Sequence, residues 1–477
     1  MTYSELRPQK VFSYFKQLSD IPRGSGNEAA AARWVAETAE KLGCRAVVDE
    51  ANNVFVTASA TEGYEDHAPV MLQGHLDMVC EANRDTKHDF LTDPIKLILE
   101  GDILRADGTT LGADNGVAVA VMLAILDSDL PHPALECLFT TEEETGLNGM
   151  RAFDAKQAKA RRMVNLDSAG EGVATVSCAG GVRSHVEFPA EFSPIAEDAT
   201  VYSVSLNGLA GGHSGEDINL GRIGAISAMA RILYAASRET CIRLVTMDGG
   251  SRDNAIPREC FAVLAVNDAE AFVNAVNTES DKIRNELVAD DCGFKVTVTP
   301  AEADSALSCE RSSQFITMLR NLPNGIYGMS RQVEGLVETS SNLGVVKPAE
   351  GGFAVTVSSR SSVESKLDDM QDRTECAAKA AGASVTHDSR YPGWDYLEGS
   401  PLQKLYLDTY KELFGSEASV MGIHAGLECG LLKGKLPDMD MISIGPEIKD
   451  LHSPDETLSV SSLERMWNLV CAILKNA

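Results

Sequence analysis

Histidine and carboxylate side chains fall together in five short stretches of the chain. These are Gly74-His75-Leu76-Asp77, Gly112-Ala113-Asp114-Asn115-Gly116, Glu142-Glu143-Glu144-Thr145-Gly146, Asn165-Leu166-Asp167 and Leu451-His452-Ser453-Pro454-Asp455-Glu456. Taken singly, each has an ordinary explanation. A His-x-Asp after a strand is more often a satisfied histidine than a ligand. An Asp between glycines is a good turn residue whatever it binds. A run of glutamates is usually a solvated face, Asp167 could cap the next element, and His452 could belong to a plain loop. Taken together, they supply one chemical object. Two divalent zinc ions about 3.5–4 Å apart need a bridging carboxylate, terminal imidazole and carboxylate ligands, and a water between them. His75, Asp114, Glu144, Asp167 and His452 provide that set. Asp77, two residues after His75, can hold the imidazole in the tautomer that leaves a lone pair for zinc. Glu143, beside the ligand Glu144, can act as general base toward the bridging water.

The elements that must position these groups follow from local pattern. Val11 to Leu18 has helical apolar spacing, broken by Ile21-Pro22-Arg23-Gly24-Ser25-Gly26, and Asn27 is placed to cap a second helix running to Leu42. The Gly-Ser-Gly loop lacks a preceding strand and a G-x-G-x-x-G pattern, so it reads as a turn rather than a phosphate cradle. Val70 to Gln73, Leu135 to Phe139 and Val164 to Leu166 read as short apolar strands, and Gly116 to Leu126 as a buried helix. This alternation predicts an α/β domain with a central, mostly parallel sheet, where ligands gather at the carboxyl ends of the strands. From about residue 182 the texture changes. Strand-like Val201 to Leu206, Phe261 to Val266 and Phe353 to Val357 alternate with helical Ile223 to Ala236 and Glu270 to Leu287. We therefore expect a catalytic domain from residues 1–181 and 391–477, interrupted by an inserted α+β domain over 182–390.

Composition narrows the function. The 477 residues exceed what one core usually supports. Lys and Arg number 42 against 70 Asp and Glu, a net charge of −28, which repels nucleic-acid backbones and anionic lipid. We expect no nucleic-acid or membrane partner. The 11 cysteines are scattered without a C-x-x-C pair, which argues against a zinc ribbon, a redox motif or a disulfide framework. Most, Cys137 among them, read as small buried hydrophobes. The opening residues lack a signal-peptide pattern and no run approaches membrane-spanning length, so a cytoplasmic setting is expected.

The segments GHLDMV, TTLGADNG, EEETG, NLDS and HSPDE, with GGHSGEDI, DNAIP and GIHAGLECG between them, resemble the motifs of the co-catalytic zinc exopeptidases that include aminoacylases and glutamate carboxypeptidases. The resemblance covers nearly the whole chain. It implies a zinc-exopeptidase-like fold with an inserted lid and dimerisation domain, hence a homodimer. It also implies a dipeptidase cleaving short peptides, Xaa-His dipeptides and β-alanyl-histidine among them. His75 and Asp167 would hold one zinc, Glu144 and His452 the other, and Asp114 would bridge; Mn2+ or Co2+ could substitute. Glu143 rather than Glu142 would be the base and Asp77 the orienter. His213 would neutralise the oxyanion from the lid, Asn254 and Arg360 would hold the substrate carboxylate, and Gly426 would line the pocket. Two other readings are an N-acyl-amino-acid deacylase on the same site and a non-catalytic scaffold on a peptidase fold. The full set of zinc-site residues weighs against the scaffold.

Overall fold

The computed structural model describes residues 5–477. The chain divides into two compact units. The first runs up to Cys178 and resumes over Trp394–Gly422 and Leu427–Ala477; the second comprises Ala179–Gly393 and Ile423–Gly426. The crossings lie a few residues from those expected. The short stretch 423–426, which sequence assigned to the catalytic part, clusters with the second unit.

The first unit is built on an eight-stranded sheet. Its strands are β1 (Arg45–Val48), β2 (Val54–Ala58), β3 (Val70–His75), β4 (Leu135–Thr140), β5 (Arg162–Asn165), β6 (Val173–Cys178), β7 (Ser419–Ile423) and β8 (Asp440–Ser443). Their spatial order is β1-β2-β4-β3-β5-β8-β6-β7. The pairings β4–β3, β3–β5 and β5–β8 are parallel, whereas β1–β2, β2–β4 and β8–β6 are antiparallel. The parallel character expected for the whole sheet is thus confined to the four middle strands. These are buried along nearly their whole length, as strands covered on both faces must be. Helices α1 (Gln9–Ser19), α2 (Ala29–Lys41), α3 (Ala113–Leu126), α4 (Pro401–Phe414), α5 (Glu428–Lys435) and α6 (Val460–Asn476) complete the unit. Helix α3 is apolar on every side and lies wholly in the core, unlike the amphipathic α1 and α6. Asn27 does not cap α2: no side chain accepts there, and Glu28 instead accepts the Gly26 N–H at 2.9 Å.

A small antiparallel sheet of Leu97–Glu100, Ile103–Ala106, Thr457–Ser459 and Ile448–Lys449 sits beside the large one. It anchors both ends of the loop containing His452 next to the strand that leads to Asp114.

The second unit is α+β, with a nine-stranded antiparallel sheet. Helices Ala225–Ser237, Ala269–Glu286, Cys309–Asn321 and Glu364–Ala380 belong to it. Its strands bury alternate residues, such as Val186 and Phe188 or Val355 and Val357, within one apolar cluster. No disulfide framework was expected, and one disulfide is present. Cys241, beside the strand Ile242–Gly249, and Cys309, at the start of a helix, are joined as a disulfide; their separation of 68 residues left no local signal. Cys137, Cys178, Cys260 and Cys429 are buried thiols as expected.

Gly74 shows how tightly the sheet meets α3. A Cβ there would lie 2.3 Å from the Asn115 Oδ1 and 2.4 Å from the Ala118 Cβ. Gly74→Ala should therefore destabilise the protein by about 1–3 kcal/mol through overpacking. Thermal unfolding in the presence of a chelator would register it as a lowered transition.

Candidate metal centre

Three of the parallel strands, β3, β4 and β5, each lead at their carboxyl ends to a donor. His75 is the last residue of β3, Asp167 lies two residues past β5, and Glu142 to Glu144 follow β4. Asp114 opens α3, joined to Asn115 by a cis peptide. His452 stands in the loop before Thr457, with φ of 60°.

The Asp114 carboxylate faces both ways. Its Oδ1 lies 3.2 Å from the His75 Nε2, which is also 3.3 Å from an Asp167 oxygen. Its Oδ2 lies 3.3 Å from the His452 Nε2, which is also 3.1 Å from the Glu144 Oε1. The donors form two overlapping groups, His75–Asp114–Asp167 and Asp114–Glu144–His452. Glu144 Oε1 is buried, and despite its nearness to His452 it has no well-directed hydrogen bond. Nitrogen and oxygen donors that converge this closely, with the buried Glu144 oxygen left unpartnered, fit a pair of divalent cations sharing Asp114.

Asp77 organises the centre from behind. It lies 3.3 Å from the His75 Nδ1 and accepts the Ser25 hydroxyl at 2.8 Å. It also accepts the backbone N–H groups of Glu143 and Glu144, at 3.0 and 3.2 Å. Burial pushes its pKa up, but His75 first, and then the Ser25 hydroxyl and the Glu143 N–H, outweigh burial and hold it at about 2. The three glutamates part company. Glu142 accepts the Asn148 side-chain amide at 2.8 Å, away from the donors, while Glu143 shares a group with His75 and Glu144. Burial, with Asp167, Glu428 and Glu144 nearby, pushes the Glu143 carboxyl well above its usual range despite the opposing effect of His75.

Residues that sequence reasoning missed hold the loops. Glu456 accepts four successive backbone N–H groups, from Leu111 to Asp114, at 2.8 to 3.2 Å. The buried Arg23 guanidinium donates to the carbonyls of Leu76, Asp77 and Gly112. Asn115 accepts the His75 N–H at 3.1 Å and donates to the Leu166 carbonyl at 2.8 Å. The Glu28 carboxylate accepts the Glu142 N–H at 3.0 Å. Glu456 ends the quoted HSPDE segment and Arg23 stands in the RGSG turn, so each lay within a visible motif without its partner being visible.

The remaining predicted residues belong to the second unit. His213 sits on a two-residue strand paired with Ala255–Ile256, and its Nδ1 accepts the Glu216 N–H at 3.1 Å. The ring proton is thereby placed on Nε2. Burial, then the Arg360 charge, lowers the pKa of His213, so the neutral donor form prevails near neutrality. Arg360 donates to the Tyr391 hydroxyl at 3.1 Å, and its buried Nε has no partner. Gly426 lies against the same tyrosine ring, where a Cβ would come within 3.0 Å. The Asn254 carbonyl accepts the Ser214 N–H at 2.9 Å, and the residue is exposed.

The fold and this donor set define the class: residues 71–476 match the model of peptidase family M20/M25/M40, and the chain belongs to that family. Among its relatives, the cytosol non-specific dipeptidase of Escherichia coli strain K12 is 36% identical over 99% of this chain and 98% of its own length. The crystal structure of aminoacylhistidine dipeptidase from Vibrio alginolyticus superposes with a TM-score of 0.95 at 35% identity, covering 100% of this chain and 98% of the other. Human carnosine dipeptidase 1 shares the fold at 12% identity, with a TM-score of 0.51 and 98% of each chain covered.

Without metal, the Asp114 carboxylate, to which the His452 ring donates, and the nearby Glu144 carboxylate raise the pKa of His452 to about 10. Burial opposes protonation of His75, but Asp167, Asp114 and Asp77 outweigh it and keep its pKa well above the ordinary value. Both imidazoles are therefore protonated at neutral pH and must lose protons to ligate a metal, so affinity should fall as pH falls. Calorimetric titration with Zn2+ in buffers of differing ionisation enthalpy should register proton release; an affinity independent of pH would contradict this account.

Proposed function

We propose that this chain is a cytoplasmic dipeptidase that holds two zinc ions, with His75 and Asp167 on one, Glu144 and His452 on the other, and Asp114 between. The observation that supports it most is the Asp114 carboxylate, with one oxygen toward each ligand pair. The near full-length relatives named as dipeptidases support the reaction class, and the Escherichia coli relative's description as a cytosol enzyme supports the compartment. Manganese or cobalt can serve in place of zinc, since the same oxygen and nitrogen donors suit them.

When bound, the ions supply a water with a pKa of about 7 and polarise the scissile carbonyl. Glu143 takes the proton from the attacking water and hands it to the leaving amine. A carboxyl held well above its usual range suits that exchange. Asp77 keeps the His75 ring in register by its contact with Nδ1. His213 donates its Nε2–H to the oxyanion as it forms. Arg360 and Asn254 hold the substrate's terminal carboxylate, with Gly426 beside them; a planar guanidinium fork matches a carboxylate through two hydrogen bonds. Binding both ends of a short substrate favours dipeptides, Xaa-His and β-alanyl-histidine included. The second unit acts as a lid in a homodimer, where His213 of one chain serves the partner's centre.

Glu143→Gln should keep its metal and lose about 10²–10⁴ in kcat, while Glu142→Gln should stay near wild type; the reverse pattern would move the base by one residue. Free dipeptides should be cleaved in preference to their N-acetylated forms, and the opposite preference would make the protein a deacylase. Co-expressed His213→Ala and Glu143→Gln chains should recover part of the activity that each lacks alone. No recovery in verified mixed dimers would mean that each chain completes its own site.

A further inference from the structure

One rung below the metal ligands, a row of polar side chains crosses the parallel strands. Gln73 of β3 is paired in register with Asn165 of β5, Asn165 with Ser443 of β8, and Ser443 with Thr175 of β6. Gln73, Asn165 and Ser443 have no solvent exposure. Because strand side chains alternate between faces, Gln73 shares a face with His75 two residues on. Such a row in the middle of a sheet is costly unless each donor meets an acceptor.

The row is satisfied in one direction only. The Gln73 Nε2 donates to the Glu428 Oε2, and the Gln73 Oε1 accepts from the Asn165 Nδ2. The Asn165 Oδ1 then accepts from the Ser443 hydroxyl and from the Asp167 backbone N–H, the latter at 3.2 Å. Thr140, the last residue of β4 and the register partner of His75, also donates to the Glu428 Oε2, at 2.6 Å. Serine and threonine hydroxyls rotate to suit either direction, and an amide can be turned over. At the two ends of the row stand the Glu428 Oε2, which accepts from both of its partners, and the Asp167 N–H, which only donates. Glu428, in the first turn of α5, is fully buried, and the chemistry above gives it only an electrostatic effect on Glu143.

We propose that Glu428 is a positioning residue of the metal centre: as the acceptor at the head of this relay, it fixes the orientation of the Gln73 and Asn165 amides and holds the strand ends that carry His75 and Asp167. The inference rests on the reading of His75 and Asp167 as metal ligands. What the relay needs from residue 428 is an acceptor rather than a negative charge. A glutamine there keeps one oxygen for Thr140 and Gln73, and a methionine keeps the volume but offers neither.

Three purified proteins decide it: wild type, Glu428→Gln and Glu428→Met. Zn2+ affinity is read by competition with a chromophoric chelator, kcat and KM on a dipeptide, and folding of the metal-free forms by circular dichroism. Glu428→Met should bind Zn2+ about 10–100-fold more weakly, the usual loss when an outer partner of a metal ligand is removed. Its kcat should fall while KM stays near wild type, and Glu428→Gln should restore both affinity and kcat. A second pair serves if Glu428→Met does not fold. Gln73→Glu sets two carboxyls against each other and should weaken Zn2+ binding. Adding Glu428→Gln to it should recover the loss, because the amide introduced at position 428 can then donate to the carboxylate introduced at position 73, which still accepts from Asn165. Wild-type affinity in Glu428→Met, equal losses in Glu428→Gln and Glu428→Met, or no recovery when the two substitutions are combined would overturn the proposal. A wild-type protein that binds no Zn2+ at all would instead remove the metal reading beneath it.

Discussion

A single carboxylate, Asp114, turns one oxygen toward His75 and the other toward His452, and the surrounding structure holds it in place. Its backbone N–H is one of four gathered by the Glu456 carboxylate, so one buried side chain clamps the main chain of the loop before α3. Arg23 fastens the carbonyl of Gly112 to those of Leu76 and Asp77, which ties the Asp114 loop to the His75 strand. Asn115 reaches from the His75 N–H to the Leu166 carbonyl and so spans the gap to the Asp167 strand. Every donor is thus referred to the same carboxylate through no more than a few bonds. Preorganisation of this kind is what a metal site requires of its protein.

The clamps work because their own charges are answered. Burying the Arg23 guanidinium lowers its pKa, and the carboxylates of Glu456, Asp77 and Asp114 oppose that shift. Glu456 is pushed upward by burial and drawn back by the amides it accepts. An acidic protein with a net charge of −28 concentrates several of its carboxylates where cations must also be accommodated. The two imidazoles are the positive partners available at the donors themselves.

Much of this was legible in the sequence, but unevenly. Short apolar runs bounded by turns marked β3, β4 and β5 to within a few residues, their length separating them from the longer apolar run of α3. The donors were legible as a set because metal chemistry restricts residue types. Their supports were not: Glu456, Arg23 and Glu28 bind backbone groups far along the chain, and a backbone N–H carries no residue code. Separation along the chain likewise hid the pairing of Cys241 with Cys309. The run of three glutamates separates in space because Glu142 adopts a positive φ and turns toward Asn148.

The order of strands has a consequence for how the protein is made. Strand β8, from Asp440–Ser443, lies between β5 and β6 in the middle of the sheet, and His452 follows it. A ribosome that has released the chain only as far as α4 has therefore delivered a sheet with a gap at its centre and one imidazole missing from the metal site. Domains tend to fold as units as they emerge, yet this one must wait for a late segment to be threaded into place.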